Sequence, residues 1–172
     1  HLSYKDLEEN LEKFFQEHLD LEFTVHCPEL FSNDHVLDLC SPDPNYRERS
    51  IREVQEVIKV TRNLKKYFPK CKRPLIVLNA GGHTQDTPLN VLDRKKYYDL
   101  ILDSLSKLDQ EGIELIPQTM PPFPWHFGGQ SFHNIFVDPK EIDTFCKETD
   151  SKICLDISHS MMACNYYGWK LV

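Results

Sequence analysis

The sequence has no long apolar run, little glycine and no paired cysteine motif, and each of these gaps excludes a class of protein. No apolar stretch among the 172 residues approaches the ~20 that a membrane-spanning helix needs. Only 6 glycines are present, and none forms the GxGxxG fingerprint of dinucleotide-binding folds. The 6 cysteines lack CxxC spacing, which is typical of reduced thiols in the cytosol. We therefore expect a cytoplasmic protein with no membrane segment.

The charge balance is acidic, which limits the partners that the protein can have. The 172 residues carry a formal net charge of −7 and are 40% hydrophobic and 27% charged. This is the composition of a globular protein, and we expect a single domain over residues 1–172. A general nucleic-acid partner is not expected, because such proteins present a basic surface.

Short apolar runs alternate with segments of helical periodicity along the whole chain. Helices are predicted over residues 7–18, 51–64 and 97–108 and from residue 138 onwards. Strands are predicted at residues 21–26, 75–79, 113–116 and 152–156. Because amphipathic helices separate the strands, the strands should run parallel, and the fold class is α/β.

Two parallel architectures are compatible with this alternation. An open doubly wound sheet would carry a glycine fingerprint after one of its strands, and this sequence has none. A (β/α)8 TIM barrel usually needs about 250 residues, which is more than the chain offers. If the fold is a barrel, part of it must be missing.

Polar side chains stand at or just after the predicted carboxyl ends of four strands. These residues are His26, Asn79, Gln118 and Asp156, with His83 and His159 a few positions beyond the second and fourth strands. The carboxyl ends of parallel strands meet at one edge, where α/β proteins hold their sites. Imidazole, carboxylate and amide groups are ligands for Zn, Mn or Fe, so the pattern predicts a metal or polar-substrate site.

The segment Asp156-Ile157-Ser158-His159 has two interpretations. The carboxylate at a strand end and the imidazole one turn later can reach one cation or two neighbouring cations. Alternatively, Asp156 caps the following helix and His159 merely lies in its first turn. The spacing alone does not separate them.

The segment from Met120 to Gln130 is rich in proline, aromatic residues and glycine. It follows a predicted strand end, so it should overhang the same edge of the sheet, where loops carry function. Alternatively, its aromatic rings pack on the protein's own surface. In that case His126, Gln130 and His133 are only surface polar groups.

A basic cluster is the other conspicuous charged feature. It comprises Arg62, Lys65, Lys66, Lys70, Lys72 and Arg73. These residues end a helix and precede a strand, which places them opposite the strand-end residues, and cations suit a helix C-terminus. We interpret the cluster as a solvated face rather than a phosphate-binding patch.

Several of these segments resemble the xylose-isomerase-like TIM barrels. That superfamily includes sugar-phosphate isomerases and epimerases and the metal-dependent apurinic endonucleases of AP endonuclease family 2. Val25-His26-Cys27-Pro28 is similar to the family's segment after the second strand, and Leu78–His83 is similar to its third-strand segment. Leu155–His159 resembles the LDxxH of the fifth strand. The resemblance implies an incomplete TIM barrel of about strands one to five.

The resemblance also implies a set of metal ligands at the carboxyl rim. By position, His26, His83, Asp156 and His159 match the family's ligands, although the glycine spacing before His83 differs. The fourth-strand ligand of the family is a glutamate, and here Gln118 stands in its place. An amide oxygen can bind a metal but cannot take up a proton, so a two-carboxylate proton shuttle is not implied.

The leading functional hypothesis is a sugar or sugar-phosphate isomerase or epimerase that uses a divalent metal (Zn, Mn, Mg or Fe). The metal would lie on His26, His83, Gln118, Asp156 and His159. Trp125, His126 and Asn79 would contact the sugar. The alternatives are an AP-endonuclease-like phosphodiesterase and a catalytically inactive fragment.

An incomplete barrel leaves unpaired sheet edges and uncovered apolar side chains. We expect Val25, Val77, Ile116 and Leu155, or their strand neighbours, to face inward and lack part of their packing. The chain should therefore associate with itself or be held by the missing half of the barrel.

Overall fold

Strands and helices alternate along the chain, as the sequence predicts. The structure, a computed structural model, describes residues 2–15, 20–123 and 131–170. The described helices are α1 (Tyr4–Glu8), α2 (Pro44–Leu64), α3 (Val91–Ser106), α4 (Pro139–Thr149) and α5 (Ile157–Tyr167). The described strands are β1 (Thr24–His26), β2 (Leu30–Phe31), β3 (His35–Val36), β4 (Leu75–Leu78), β5 (His83–Gln85), β6 (Glu114–Pro117) and β7 (Ser131–His133).

The central sheet is parallel and its strands follow one another in chain order. The order is β1-β4-β6, and a single parallel bridge from Gln118 to Cys154 adds the position of a fourth strand. A doubly wound sheet would reverse this order at a switch point, whereas a TIM barrel adds each strand beside the last. The chain therefore builds about half of a (β/α)8 barrel and does not close it.

The long helix α2 shows how local sequence determines where a helix begins and which of its faces packs on the sheet. Asp43 is its N-cap, with Oδ1 accepting hydrogen bonds from the backbone N of Asn45 at 2.8 Å and of Tyr46 at 3.3 Å. Pro44 follows as the first helical residue, where its missing N–H costs nothing. The residues of α2 that pack inward recur at helical spacing. They are Ser50, Ile51, Val54, Val57, Ile58, Thr61 and Leu64.

The two faces of the sheet differ in what covers them. Val25, Ile76 and Leu115 are neighbours in register, and all three belong to the core that packs against the helices. Side chains alternate along a strand, so His26, Val77 and Ile116 point to the opposite face. Val77 and Ile116 therefore share a face, and on β1 it is His26, the strand neighbour of Val25, that lies on that face.

Several predicted elements are shorter than the sequence indicates, above all the first helix and the fourth strand. The first helix ends at Glu8, and a 3-10 turn at Leu11–Phe14 follows; His18 lies outside the described residues. Glu8 and Glu9 place negative charge at the helix C-terminus, where the helix dipole disfavours it. The fourth strand is reduced to the bridge at Cys154, for which the described residues provide no flanking strand on the far side.

Two antiparallel pairs were not predicted from the sequence. β2 pairs with β3, and β5 pairs with β7. Both pairs lie in segments that follow the carboxyl ends of parallel strands. Of the helices described, not one combines the length and apolarity that crossing a bilayer demands.

The packing of α3 can be tested at two adjacent leucine-sized positions. Ile101 is 0% exposed and Leu102 is 37% exposed. We expect Ile101→Ala to lower the free energy of unfolding by about 2–5 kcal/mol, because it leaves a cavity in the core. Leu102→Ala is the control and should cost less than about 1 kcal/mol. Urea unfolding followed by circular dichroism measures both, and equal losses would contradict the placement of α3.

Candidate functional site

The polar residues at the strand ends share the face of the sheet that points away from the helices. His26 is level with Val77, and the register of β4 and β6 continues to place Asn79 beside Gln118. Gln118 is bridged in turn to Cys154. By alternation, the side chains of His26, Asn79 and Gln118 project to the same side. In a closed barrel that side is the interior.

Asn79 carries an unsatisfied acceptor at this edge. Its side chain is 6% exposed, and its Oδ1 is buried with no hydrogen-bond partner in the described part of the chain. Leaving such a group unpaired costs about 1–3 kcal/mol, so buried acceptors are normally used. Gln118 beside it is 4% exposed. The end of β4 is therefore a position where a donor or a cation would be stabilised.

Three histidines near this edge are held in the same way. In each of them the ring Nδ1 lies within hydrogen-bonding distance of a backbone carbonyl oxygen. His26 Nδ1 lies 2.9 Å from the Cys27 oxygen, His133 Nδ1 lies 2.9 Å from the Pro121 oxygen, and His159 Nδ1 lies 2.8 Å from the Thr119 oxygen. A carbonyl oxygen only accepts, so in each neutral ring Nδ1 carries the hydrogen and Nε2 carries the lone pair. Metal-binding histidines are commonly oriented by such a bond.

Asp156 and His159 form a locally organised pair at the start of α5. Asp156 Oδ1 accepts from the backbone N of His159 at 3.0 Å, and Oδ2 lies 3.7 Å from the His159 ring Nδ1. The Thr119 hydroxyl donates to the Asp156 carbonyl oxygen at 3.2 Å and accepts from the Asp156 backbone N–H at 2.8 Å. The helix-cap interpretation of Asp156 is thus confirmed. The same bonds bring the carboxylate and the imidazole together at the end of β6.

His83 lies in a different group, with a partner that the sequence did not single out. In the β5–β7 pair, His83 is directly opposite His133, and their ring centroids are 4.8 Å apart. The interpretation of His133 as a surface group is wrong, because its side chain is 4% exposed. Strand β7 is only three residues long, so periodicity gave no signal for this pairing.

The described predicted ligands do not come together in a single metal centre. Within residues 2–15, 20–123 and 131–170, no three His, Cys, Asp or Glu side chains are grouped closely enough to hold a metal ion. Asp156 with His159 and His83 with His133 form pairs, while His26 and Gln118 lie along the sheet edge. Trp125 and His126, the predicted sugar contacts, lie outside the described residues.

Asp38 is a buried carboxylate that sequence reasoning missed. Its Oδ1 accepts from the backbone N of Gly82 at 2.8 Å and of Cys40 at 2.9 Å. Burial raises the pKa of Asp38 to about 6, although these backbone donors oppose the shift. Gly81 has φ +89°, and a Cβ there would overlap Asp38 Oδ1. The one signal in the sequence is an acidic residue within the apolar run of residues 36–40.

A second buried polar group supports the Asp38 backbone. The Ser50 hydroxyl accepts from the Asp38 N–H at 3.1 Å and lies 3.0 Å from His35 Nε2. His35 is 2% exposed, and this burial, with a smaller contribution from Arg49, lowers its pKa to about 4. His35 is therefore neutral at physiological pH.

The basic cluster lies at the other end of the sheet. The Arg62 guanidinium donates to the Glu111 carbonyl oxygen at 2.9 Å and to Asp109 Oδ2 at 2.8 Å. Arg73 donates to the Ile113 carbonyl oxygen at 3.0 Å. These contacts brace the turn before β6, whereas Gln118 follows the end of β6. Lys65 also donates to the Gly112 carbonyl oxygen at 3.4 Å, so several of the six basic side chains have structural partners.

The sequence and the fold both have known counterparts. The sequence model of the family described as xylose isomerase-like TIM barrel matches residues 1–170. A solved structure described as a D-tagatose 3-epimerase-like protein is similar at 20% identity with a TM-score of 0.54. The match covers 92% of this chain and 52% of that chain, so the protein spans about half of that neighbour's length. No curated protein matches the sequence.

The neutral state of His35 makes a prediction about acid stability. Unfolded His35 takes up a proton near pH 6.5, but in the folded protein this occurs near pH 4. Between those values the unfolded chain binds more protons, so stability is complete above pH 6.5 and is lost as the pH falls towards 4. Between pH 7 and pH 4, His35→Gln should lose about 2–3 kcal/mol less than the wild type. Denaturant unfolding at each pH tests this, and parallel pH curves would contradict it.

Proposed function

The chain belongs to the xylose isomerase-like TIM barrel family, and from that premise we propose that it supplies strands one to five of a metal-dependent sugar isomerase or epimerase. The observation that carries the proposal is the shared orientation of His26, Asn79 and Gln118 at the carboxyl edge, with Asp156 and His159 at the next strand position. In TIM barrels this edge holds the active site.

The residues at this edge would supply part of a site for a divalent cation such as Zn, Mn, Mg or Fe, since no three His, Cys, Asp or Glu side chains among the described residues are grouped closely enough to hold one alone. The proposed ligands are His26, His83, Gln118, Asp156 and His159. The Nδ1 bonds of His26 and His159 orient rings whose Nε2 carries the lone pair, and the buried Oδ1 of Asn79 has no partner among the described residues. When bound, such a cation polarises sugar oxygens and acidifies the neighbouring carbon-bound hydrogen.

The residues of this chain can bind the substrate, but they do not include an evident base for proton transfer at Gln118. Asn79 would bind a sugar hydroxyl at the edge of the sheet, and Trp125 and His126 would stack on the sugar and hydrogen-bond to it. Gln118 stands where the family has a glutamate, and its amide cannot accept a proton at neutral pH. We therefore infer that the described half of the barrel binds and orients, and that the proton-abstracting base comes from outside it.

The charge distribution does not favour the endonuclease alternative. A phosphodiesterase acting on DNA needs a basic rim along the phosphate backbone. Here Arg62 and Arg73 are held by backbone carbonyl oxygens at the opposite end of the sheet from Gln118. A neutral sugar is the better match to the amides of Asn79 and Gln118 and the carboxylate of Asp156 at the carboxyl edge.

The open edge beside β6 is the proposed contact surface for the second half of a barrel. Leu155 is 65% exposed, Ile157 61% and Met161 51%, which are large values for apolar side chains so close together. Leu155 lies at the fourth strand position and lines a cleft of about 840 Å³, and Ile157 and Met161 lie on α5. We infer that further βα units cover this surface, and that the isolated chain uses it to self-associate.

Metal binding by Asp156 and His159 can be tested directly. We expect the wild type to take up Mn²⁺ or Zn²⁺, and the double variant Asp156→Asn with His159→Gln to lose at least about tenfold in affinity, because a charge and an imidazole are removed. Asn keeps the helix cap, so folding should be retained. Asp143→Asn, an exposed acid on α4 paired with Lys147, is the control.

Gln118→Glu is expected to increase metal affinity in the same titration. An anionic oxygen in place of a neutral one should tighten Mn²⁺ binding by about tenfold if the side chain reaches the cation. Isothermal titration calorimetry and metal content by mass spectrometry measure both effects. A wild type that takes up no metal would overturn the ligand assignment, and an unchanged affinity in Gln118→Glu would remove this residue from the site.

Self-association can be tested by sedimentation velocity at micromolar concentrations. We expect the wild type to form dimers or larger species, since each Å² of apolar surface removed from water contributes about 25 cal/mol. Leu155→Glu should shift the protein towards monomer. Leu92→Glu is the control, because Leu92 is 91% exposed on α3. A wild type that is monomeric throughout would contradict the proposed contact surface.

A further inference from the structure

The backbone pairing between β6 and the fourth strand position is regular as far as Gln118. In a parallel pair, a residue donates to one neighbour of its partner and accepts from the other. Cys154, which is bridged to Gln118, does so. Its N–H donates to the Pro117 carbonyl oxygen at 2.8 Å, and its carbonyl oxygen accepts from the Thr119 N–H at 2.9 Å. The next residue to pair in the same way would be Asp156.

The sequence prevents Asp156 from continuing this pairing in full. Its N–H would donate to the Thr119 carbonyl oxygen, and its carbonyl oxygen would accept from the N–H of residue 121. Residue 121 is a proline, which has no N–H. The Met120 N–H does not replace it, because it donates to the Phe136 carbonyl oxygen at 2.8 Å. The backbone of β6 therefore cannot supply the donor of a regular ladder to the Asp156 carbonyl oxygen.

The Thr119 side chain supplies both of the bonds that the ladder would have made. Its hydroxyl accepts from the Asp156 N–H at 2.8 Å and donates to the Asp156 carbonyl oxygen at 3.2 Å. The Thr119 carbonyl oxygen, which a regular ladder would give to the Asp156 N–H, accepts instead from His159 Nδ1 at 2.8 Å. Thr119 is buried, and hydrogen bonds are stronger where water is excluded.

These contacts orient Asp156 and His159 together. The Asp156 backbone determines where its carboxylate lies, and that carboxylate accepts from the His159 N–H at 3.0 Å. The Thr119 carbonyl oxygen only accepts, so the hydrogen of the neutral His159 ring lies on Nδ1 and the lone pair on Nε2. Gln118 is the preceding residue in the chain. Three of the proposed ligands are therefore joined to Thr119 by a peptide bond or by hydrogen bonds.

We propose that Thr119 is a positioning residue of the cation site: its hydroxyl completes the pairing of Asp156 and thereby keeps the Thr119 carbonyl oxygen for His159. The bond to Nδ1 selects the tautomer whose Nε2 can bind a metal, and residues that orient ligands in this way affect metal affinity about 10- to 100-fold. The inference rests on the proposed function and adds to it a residue that does not itself bind the cation.

Two substitutions at Thr119 separate the hydroxyl from the rest of the side chain. Thr119→Val keeps both branches at Cβ and removes the hydroxyl, whereas Thr119→Ser keeps the hydroxyl. Without the hydroxyl, the Asp156 N–H has the carbonyl oxygen of residue 119 as its regular acceptor and competes there with His159 Nδ1. We expect the His159 ring to move towards the Nε2–H tautomer in Thr119→Val and to stay as in the wild type in Thr119→Ser.

Long-range ¹H–¹⁵N spectra of the metal-free protein at pH 7.5 measure this tautomer, with His159→Gln to assign the signals. In a separate calorimetric titration, Thr119→Val should bind Mn²⁺ about tenfold more weakly, and Thr119→Ser should recover most of that loss. Urea unfolding verifies that each variant is folded. Thr144→Val is the control and should change neither readout, because the exposed Thr144 hydroxyl donates within α4 to the Lys140 carbonyl oxygen at 2.9 Å.

The outcomes separate this inference from the proposed function. An unchanged His159 tautomer in Thr119→Val would overturn the inference even if that variant lost stability, because a merely structural role would not move these signals. A wild-type ring with its hydrogen on Nε2 would overturn it as well, and this result needs no variant to fold. Equal Mn²⁺ affinity in the wild type and Thr119→Val would also overturn it. A wild type that shows the expected tautomer but takes up no Mn²⁺ would instead overturn the proposed function.

Discussion

Strand β4 is paired on both sides, and this double pairing determines where every candidate site residue at the sheet edge lies. Its register with β1 and β6 places Ile76 and Leu78 against the helices and Val77 on the other face. Asn79 follows on that other face, level with Gln118. A slip of one residue would exchange the faces, burying Asn79 among apolar side chains and exposing Ile76. The hydrophobic core and the polar edge are thus two consequences of one register.

The Asp38 carboxylate fixes the next part of the molecule, because it joins segments that follow two different strands. It accepts the N–H of Gly82 and of Cys40, and the Ser50 hydroxyl accepts the Asp38 N–H. Two of these bonds depend on contacts across 44 and 12 residues of sequence. Burying a carboxylate is unfavourable unless it is well bonded, so the site tolerates little variation in the backbone around Gly81 and Gly82. His83 is placed by that backbone.

Much of the fold follows from local signals in the sequence, and the rest depends on contacts that no local pattern encodes. The N-cap Asp138 before Pro139 predicts α4, and Leu75–Leu78 predicts a buried strand, because both depend on neighbouring residues. The pairing of β5 with β7 and the roles of Asp38 and His133 depend on residues far apart in sequence. The sequence predicted that the strand-end residues lie at one edge of the sheet. It did not predict that Asp156 pairs with His159 and His83 with His133, because these contacts depend on the conformation of the loops after the strands.

The open edge of the sheet and the incomplete ligand set have a common physical origin. TIM-barrel sites draw residues from strands around the whole circumference, and the chain spans 52% of the similar epimerase-like structure. Among the described residues, His, Cys, Asp and Glu side chains accordingly meet in pairs rather than threes at this edge. Because a barrel site draws on strands around the whole circumference, we expect further strands to complete the metal site proposed for His26, Gln118, Asp156 and His159.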